Sequence, residues 1–554
     1  MTLRRVVQTV CLVLFALLAL GTAEALVGGS AVPFAPGRDL LVRLDPAAAL
    51  LAAVADRSVS LAILPGLAVL ASGLVLGRAF CGWVCPFGAM LDITDPLLRR
   101  LAGKRRNVPR AGGRTLPRRL KFGVLAGLLS AAACGVSLAF WAAPLPLAAR
   151  LWGLAGREGL SRLADAGLRV IDPLARGLGA TGLAFAEVKL PSYATLSFTL
   201  LFFALAFGLG LLGSRVWCRC LCPAGAALGL LSRLAPWCRT VGEGCTSCGA
   251  CARACPAGAI GSDFTATDHA ECLKCLRCRD TCPQDVVRFG FTRTEQAAFS
   301  PLRRTLVGGA ALGAGAAALG LYGPALGAAL AKGNGPGVLR PPGALPEQDF
   351  LARCVRCGLC ATACPTNTLQ PAWLAAGGLG MFSPVVTPVK GFCNPLCHAC
   401  APACPTAAIR VVAPGDRLFA KLGTAYIERK DCLAWEKKKK CLVCDEVCPY
   451  DAISFKPEPD NPVRVPHVDA KRCAGCGFCE HHCPAVNPVR GSKAIVVRAK
   501  DALRPRTGSL RAAAEGAGLR LIYTPKKKGT DGAQGAEPPA PEPSPNGLPP
   551  GFSE

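Results

Sequence analysis

Histidine and methionine are the scarcest chemically versatile residues in this 554-residue chain, with five and three copies. The histidines are His269, His398, His467, His481 and His482, all within cysteine-rich stretches, and the methionines are Met1, Met90 and Met381. No apolar segment therefore carries the His/His or His/Met pair with which a membrane cytochrome holds haem, and no haem is expected. Negative charge is also short: 36 Asp and Glu face 63 Lys and Arg, a formal net charge of +27. Such a balance can serve nucleic acid, but no recognisable binding module is present and no nucleic-acid partner is expected. Much of the excess flanks apolar segments, where Lys and Arg set membrane orientation.

What the chain has in quantity is apolar residues and cysteine. Hydrophobic residues make up 51% and the mean hydropathy is +0.36, which points to membrane spans. Thirty-two cysteines fall mostly into Cys-x2-Cys-x2-Cys runs, the grouping of metal sites and not of disulfide staples. Cys245, Cys248, Cys251 and Cys255-Pro256 make one such run, and Cys272, Cys275, Cys278 and Cys282-Pro283 repeat it. Three thiolates of one tight loop hold three corners of an iron–sulfur cube, and the fourth comes from the partner run in two-cluster ferredoxins. Cys245, Cys248, Cys251 and Cys282 are thus assigned to one [4Fe–4S] cluster, and Cys272, Cys275, Cys278 and Cys255 to another. Zinc would call for two separated Cys-x2-Cys pairs, and disulfides for an oxidising compartment.

The expected architecture is a multi-domain membrane protein: an α-helical bundle of about five spans with two cysteine-rich, ferredoxin-like α+β domains. Residues 6–28 follow Arg4 and Arg5 and read as a first span with its N-terminus in the cytoplasm. A cleaved secretory signal competes at Thr22-Ala23-Glu24-Ala25, but the later topology counts correctly only with this helix retained. A second span over about 59–80 ends in Cys81-Gly82-Trp83-Val84-Cys85-Pro86. The loop beyond it carries Arg99, Arg100, Lys104, Arg105, Arg106, Arg110, Arg114, Arg118, Arg119 and Lys121 against Asp92 and Asp95, marking it cytoplasmic. A third span covers about 122–145. Residues 146–190 read as an interfacial helix on the outer face or an ordinary surface helix. A fourth span over about 192–213 returns to the cytoplasm and ends in Cys218-Arg219-Cys220-Leu221-Cys222-Pro223.

Arg303 and Arg304 then precede a Gly- and Ala-rich apolar run to about Ala331. A twin arginine before a mildly apolar stretch is the address of the Tat translocase, the route for a domain whose clusters are assembled before export. Ala329-Leu330-Ala331 offers a cleavage site, leaving release or tethering open. Downstream lie Cys354, Cys357, Cys360 and Cys364; Cys393, Cys397, Cys400 and Cys404; Cys432, Cys441, Cys444 and Cys448; and Cys473, Cys476, Cys479 and Cys483. These sixteen thiolates make four further clusters, six in the chain, with the exchange of fourth cysteines left open by spacing. Cys393 to His398 approaches a c-type haem site but has one residue too many between its cysteines. His481 and His482 read as surface or supporting groups, and Lys437 to Lys440 as a solvated run or a dock for an acidic electron acceptor. Cys11 and Cys134 read as small apolar residues within spans.

The domains are therefore expected at 1–235 (membrane), 236–295 (cytoplasmic two-cluster), 296–335 (Tat signal or anchor), 336–500 (periplasmic four-cluster) and 501–554 (tail, disordered from about 524). Two elements of redox chemistry are left in the membrane part. Cys81, Cys85, Cys218 and Cys222 lie at one membrane face and can converge on a metal or cluster, cycle as disulfides, or merely shape helix ends, with Cys220 and Cys238 as spare neighbours. Glu24, near the outer end of the first span, is either a proton acceptor or a solvated group.

The order of these features resembles two known proteins joined in one chain. Residues 1–295 resemble the NapH-type membrane quinol dehydrogenase subunit, with four spans, two Cys-x3-Cys-Pro motifs and two cytoplasmic clusters. Residues 296–500 resemble the twin-arginine-exported NapG/MauM-type ferredoxin, most closely along Cys441-Leu442-Val443-Cys444-Asp445-Glu446-Val447-Cys448-Pro449. The resemblance implies a multi-pass protein of the bacterial cytoplasmic membrane, a quinol dehydrogenase component that draws on the quinone pool. It implies delivery to a periplasmic redox partner, a cytochrome or molybdenum reductase such as nitrate reductase. The fusion departs from the usual separate subunits, and an accessory factor that matures or reduces another metalloenzyme is the second function class.

Overall fold

Helices in this chain begin where a capping side chain or a proline meets an apolar run. Asp45 shows the rule: its carboxylate accepts the N–H groups of Ala47 and Ala48, each at 2.9 Å, and Pro46 opens the helix Pro46–Asp56. The computed structural model describes residues 3–20, 37, 39–101, 117–177, 188, 190–291, 303–330, 337–487 and 491–524. Five apolar helices matter most: α1 (Leu3–Leu20), α2 (Leu61–Leu76), α3 (Leu120–Ala133), α4 (Leu196–Leu211) and α5 (Arg303–Leu330). Of the described residues, α1 is long and apolar enough to cross a membrane by itself.

The helices α2 and α3 are shorter than the sequence suggests, and glycine is the reason. Gly77 at φ 60° stops α2 just before the first Cys-x3-Cys-Pro, and Gly135 at φ 85° follows the end of α3. Cys134 consequently lies exposed at the end of α3 and does not pack as a core residue. Beyond it, Pro144–Arg150 and the wider π-type turn Leu151–Gly156 enter the core, with Leu147 and Leu154 buried. The first part of the expected interfacial segment is therefore interior. Its amphipathic remainder, Arg157–Gly177, carries the i,i+4 pairs Glu158–Arg162, Asp165–Arg169 and Asp172–Arg176.

The glycines of α5 have a packing role. Gly309 and Gly313 lie against Gly123 and Gly127 of α3, so both helices present a Gly-x3-Gly face and their backbones touch. The Ser130 hydroxyl completes the contact by donating to the Ala310 carbonyl at 2.8 Å. A Cβ at Gly313 falls inside the Gly127 carbonyl, whereas one at Gly308 meets nothing within 4 Å. Gly313→Ile is therefore expected to cost roughly 1–3 kcal/mol, read as a lower unfolding temperature in detergent, while Gly308→Ile leaves it unchanged.

Two cysteine-rich domains flank this helical body. The first is closed by the antiparallel strands Trp237–Val241 and Val287–Phe291, which bracket both of its cysteine runs. The second holds the antiparallel pairs Leu369–Pro371 with Pro384–Val386, Thr424–Ile427 with Ile495–Arg498, and Ile453–Glu458 with Asn461–Val468. Its packing continues past residue 500. Leu510 and Leu521 are buried, Asp416 accepts the N–H groups of Leu510 and Arg511 at 2.8 Å, and Arg504 pairs with Glu347. The boundary expected at 500 is thus too early, and residues 525–554 lie outside those described.

Each of four apolar helices meets the first domain side at one end and the second at the other. Arg4 at the start of α1 bonds the Gly82 carbonyl, whereas near its end Ala19 approaches Gly153, itself against Thr362 of the second domain. Arg353 pairs with Asp56 before α2, and Arg78 pairs with Glu271 after it. Lys121 at the start of α3 reaches Glu271, while Phe140 beyond its end lies 4.0 Å from the Arg356 guanidinium. At the start of α4 Phe198 stacks near Trp373 with ring centroids 4.8 Å apart, and past its end Arg215 joins Asp92. The two cysteine-rich domains therefore sit at opposite ends of the helical body.

Candidate iron–sulfur sites

A Cys-x2-Cys-x2-Cys run becomes a cup when the residues flanking its middle cysteine take left-handed conformations. Ser247 and Gly249, Lys274 and Leu276, Arg356 and Gly358, and Gly475 and Gly477 all do so, at φ between 50° and 84°. Alternating left- and right-handed residues turn successive N–H groups toward one concavity, the backbone nest that suits an anionic cluster. Leu276, Arg356 and Lys274 pay the steric cost of a Cβ in that region, which marks the geometry as imposed by the site. Among the described residues, the two runs with irregular spacing, at Cys393 and Cys441, show no such pair.

The cups close into sets of four cysteines. One cavity is lined by Cys245, Cys248, Cys251 and Cys282, and another by Cys255, Cys272, Cys275 and Cys278, the exchange expected from sequence. In the second domain one cavity is lined by Cys432, Cys441, Cys444 and Cys483, and another by Cys448, Cys473, Cys476 and Cys479. Cys404 lies beside Cys354, Cys357 and Cys360, and Cys364 beside Cys393, Cys397 and Cys400. Neighbouring runs thus exchange their fourth cysteines, which settles the geometry that spacing left open.

The donor set fits an iron–sulfur cluster. The cysteines are unbridged, and no group of three or more His, Cys, Asp or Glu among the described residues is arranged to hold a single metal ion. Burial pushes the Cys354 and Cys272 thiols up to about 11, so the thiolate form requires a positively charged core to bind. Backbone and guanidinium donors already point at sulfur. Ala259 N–H reaches Cys255 Sγ at 3.3 Å and Ala425 N–H reaches Cys473 Sγ at 3.4 Å. Arg417 lies 3.1 Å from Cys393 Sγ, and Arg239 lies 3.7 Å from Cys251 Sγ. Such hydrogen bonds set the potential of a cluster. His481 and His482 lie against the Phe392 ring, with centroids 5.6 and 5.7 Å away. Lys437 to Lys440 stand exposed beside the Cys432–Cys441 set.

Cys81, Cys85, Cys218 and Cys222 form a seventh group, each buried and within electrostatic reach of the others. Two ionic knots fasten the segments around them. In one, Glu271 takes Arg78 at 3.0 Å and Lys121 at 2.6 Å; burial opposes its charge, but the two cations hold its carboxyl below the usual range. In the other, Asp92 takes Arg4 at 2.6 Å and Arg215 at 2.8 Å, with Arg277 at 3.5 Å. Removing either carboxylate strands two buried cations, Arg78 and Lys121 or Arg4 and Arg215, a loss of about 3–5 kcal/mol. The sequence reading missed both hubs, counting Asp92 only as a minority charge in a basic loop. Cys220 lies beside Glu271 and Lys121, and Cys238 near Lys274, so neither joins the quartet. Glu24 lies outside the described residues. The buried acid that the structure does show near Cys85 is Asp45, held by three backbone N–H groups.

Fold and sites together define an iron–sulfur electron-transfer protein with several ferredoxin-type domains. Family profiles described as 4Fe-4S binding domains match residues 59–105 with 196–240, 350–370, and 242–258 with 269–289, and a 4Fe-4S dicluster domain matches 439–487. The methylamine utilization ferredoxin-type protein MauM of Paracoccus denitrificans is 41% identical over 207 residues, 36% of this chain and 88% of that protein. The ferredoxin-type protein NapG of Escherichia coli is 35% identical over 185 residues, 31% of this chain and 78% of that protein. The chain belongs to this MauM and NapG ferredoxin-type family. No solved structure matches it.

Proposed function

We propose that the chain is a quinol-oxidising component of a bacterial cytoplasmic membrane that delivers electrons to a periplasmic redox partner. In this reading α1 to α5 are five spans, the 236–295 domain faces the cytoplasm, and the 336–524 domain is exported by Tat and stays tethered through α5. The Gly-x3-Gly contact of α5 with α3 supports tethering, because it makes α5 part of the body. Six [4Fe–4S] clusters, two inner and four outer, supply one-electron carriers when bound.

One observation carries the reading: apolar packing reaches the helical body from both cysteine domains, in two buried clusters that Phe80 packs against in common. Cys81 shares a buried cluster with Cys272 and Leu273, with Cys255 and Cys275 against it. Cys85, Cys218 and Cys222 share another with Val355, Cys357 and Leu359 of the outer domain. The outer end of that path is lined by Arg150, which sits 4.5 Å from the Phe382 ring and near Cys354 and Cys357. Quinol loses two electrons and two protons to become quinone, and the helical body is where an apolar quinol reaches these residues. Anaerobic full-length protein in detergent should show cluster bleaching on addition of a quinol analogue. Bleaching by dithionite alone would overturn the donor assignment.

A further inference from the structure

The two Cys-x3-Cys-Pro motifs are halves of a longer repeat. Arg78-x2-Cys81-x3-Cys85-Pro86-x-Gly88 is matched by Arg215-x2-Cys218-x3-Cys222-Pro223-x-Gly225. Each half folds alike. Cys81 lies in the short helix Ala79–Trp83 and Cys218 in Val216–Cys220. Cys85 N–H bonds the Phe80 carbonyl and Cys222 N–H the Trp217 carbonyl, both at 3.0 Å. Each proline then opens a new helix, Pro86–Leu101 or Pro223–Ser232, leaving the preceding thiol at its N-terminus. Gly225 N–H donates to Cys222 Sγ at 3.3 Å, and Gly88 N–H stands in the same relation to Cys85.

The halves also interlock reciprocally. Arg78 of the first donates to the Cys218 carbonyl at 3.3 Å, and Arg215 of the second to the Cys81 carbonyl at 3.1 Å. A Cβ at Gly225 comes within 2.8 Å of Arg78 and 3.0 Å of the Cys218 carbonyl. One at Gly88 meets the Cys81 carbonyl at 3.1 Å and Arg215 at 3.3 Å. The glycines are therefore the clearance through which each guanidinium crosses to the other half. Arg78 and Arg215 are 1% and 0% exposed, and the four thiols no more than 8%.

We infer that Cys81, Cys85, Cys218 and Cys222 are the four thiolate ligands of one further iron–sulfur cluster, buried between the inner and outer arrays and shared equally by the two halves. The 59–105 segment, though matched by a 4Fe-4S profile, contains only Cys81 and Cys85, so it completes a site only with the other half. The quartet shares with the ferredoxin sets mutual proximity, the lack of a disulfide and N–H groups on sulfur, and all four of its thiols are buried. It is not arranged to hold a single metal ion. Charge favours a cluster over disulfides. The Glu271 knot joins two cations to one carboxylate and the Asp92 knot three, and of these cations Arg78 and Arg215 donate to the Cys218 and Cys81 carbonyls of the quartet. Asp45 and Asp95, the other buried carboxylates nearby, are engaged by backbone N–H groups, Asp95 by that of Arg215 at 2.7 Å. A core of charge 2+ held by four thiolates is an anion that answers those cations, whereas two disulfides are neutral.

The test is iron and acid-labile sulfide per full-length chain, purified anaerobically, for the wild type and for the double variant Cys81→Ala/Cys218→Ala. The variant should lack one cluster's worth of both while keeping its dithionite-reducible ferredoxin signals, and Cys220→Ala should lack none. Equal iron in wild type and variant overturns the site. Should the variant fail to fold, native mass spectrometry of the wild type decides: mass for one cluster beyond the six sets supports the site. Six clusters, or a disulfide within the quartet, refutes it. Quinol oxidation is scored separately, because a chain that holds this cluster yet ignores quinol loses its donor assignment and keeps the site.

Discussion

Serine at any one of Cys81, Cys85, Cys218 and Cys222 is expected to abolish reduction of the outer clusters by a quinol analogue, while dithionite still reduces them. The expectation rests on position. The apolar cluster around Cys85, Cys218 and Cys222 is continuous with Cys357, and Cys81 packs with Cys272. The body separating the two domains is about 27 Å long if an 18-residue helix at 1.5 Å per residue sets its thickness. The thiols are the electron-active groups the chain supplies along that distance, since its five histidines all lie in cysteine-rich stretches. Stopped-flow absorbance on anaerobic protein gives the readout. Four variants with unchanged quinol-driven rates would make the quartet structural.

Lysine at both Arg303 and Arg304 should strand the outer domain in the cytoplasm. Lysine keeps the charge that orients α5, so simple positive-inside insertion survives the change and recognition by the Tat translocase does not. A C-terminal epitope accessible in wild-type spheroplasts should become protected in the variant. Export that persists in a strain without Tat would remove the translocation route while leaving the cysteine sets untouched.

The cluster cups were legible in the sequence because their stereochemistry is local: three cysteines at fixed spacing and a following proline admit few backbone paths. The exchange of Cys404 and Cys364 between neighbouring runs was not, because it depends on how two loops pack and not on either loop's spacing. Helix ends were over-read at α2 and α3, where hydropathy continues past Gly77 and Gly135 but the backbone does not. Asp92 and Glu271 looked like ordinary acids because their partners lie far off in sequence: Arg4 and Arg215 for one, Arg78 and Lys121 for the other. A signal for the quartet's supports was present, since Arg and Gly recur at the same offsets from both Cys-x3-Cys-Pro motifs. Residues 501–524 were placed in the C-terminal tail, yet Leu510, Ala514 and Leu521 are buried in the outer domain.

The central claim is that electrons from quinol pass through the helical body to the outer clusters. Sealed vesicles carrying the full chain, with quinol in the bilayer and a membrane-impermeant ferric oxidant outside, test it most directly. The account predicts chain-dependent reduction of two equivalents of oxidant per quinol, lost in Cys218→Ser. External oxidant that stays oxidised, in vesicles whose clusters are loaded and whose outer domain faces out, would contradict it.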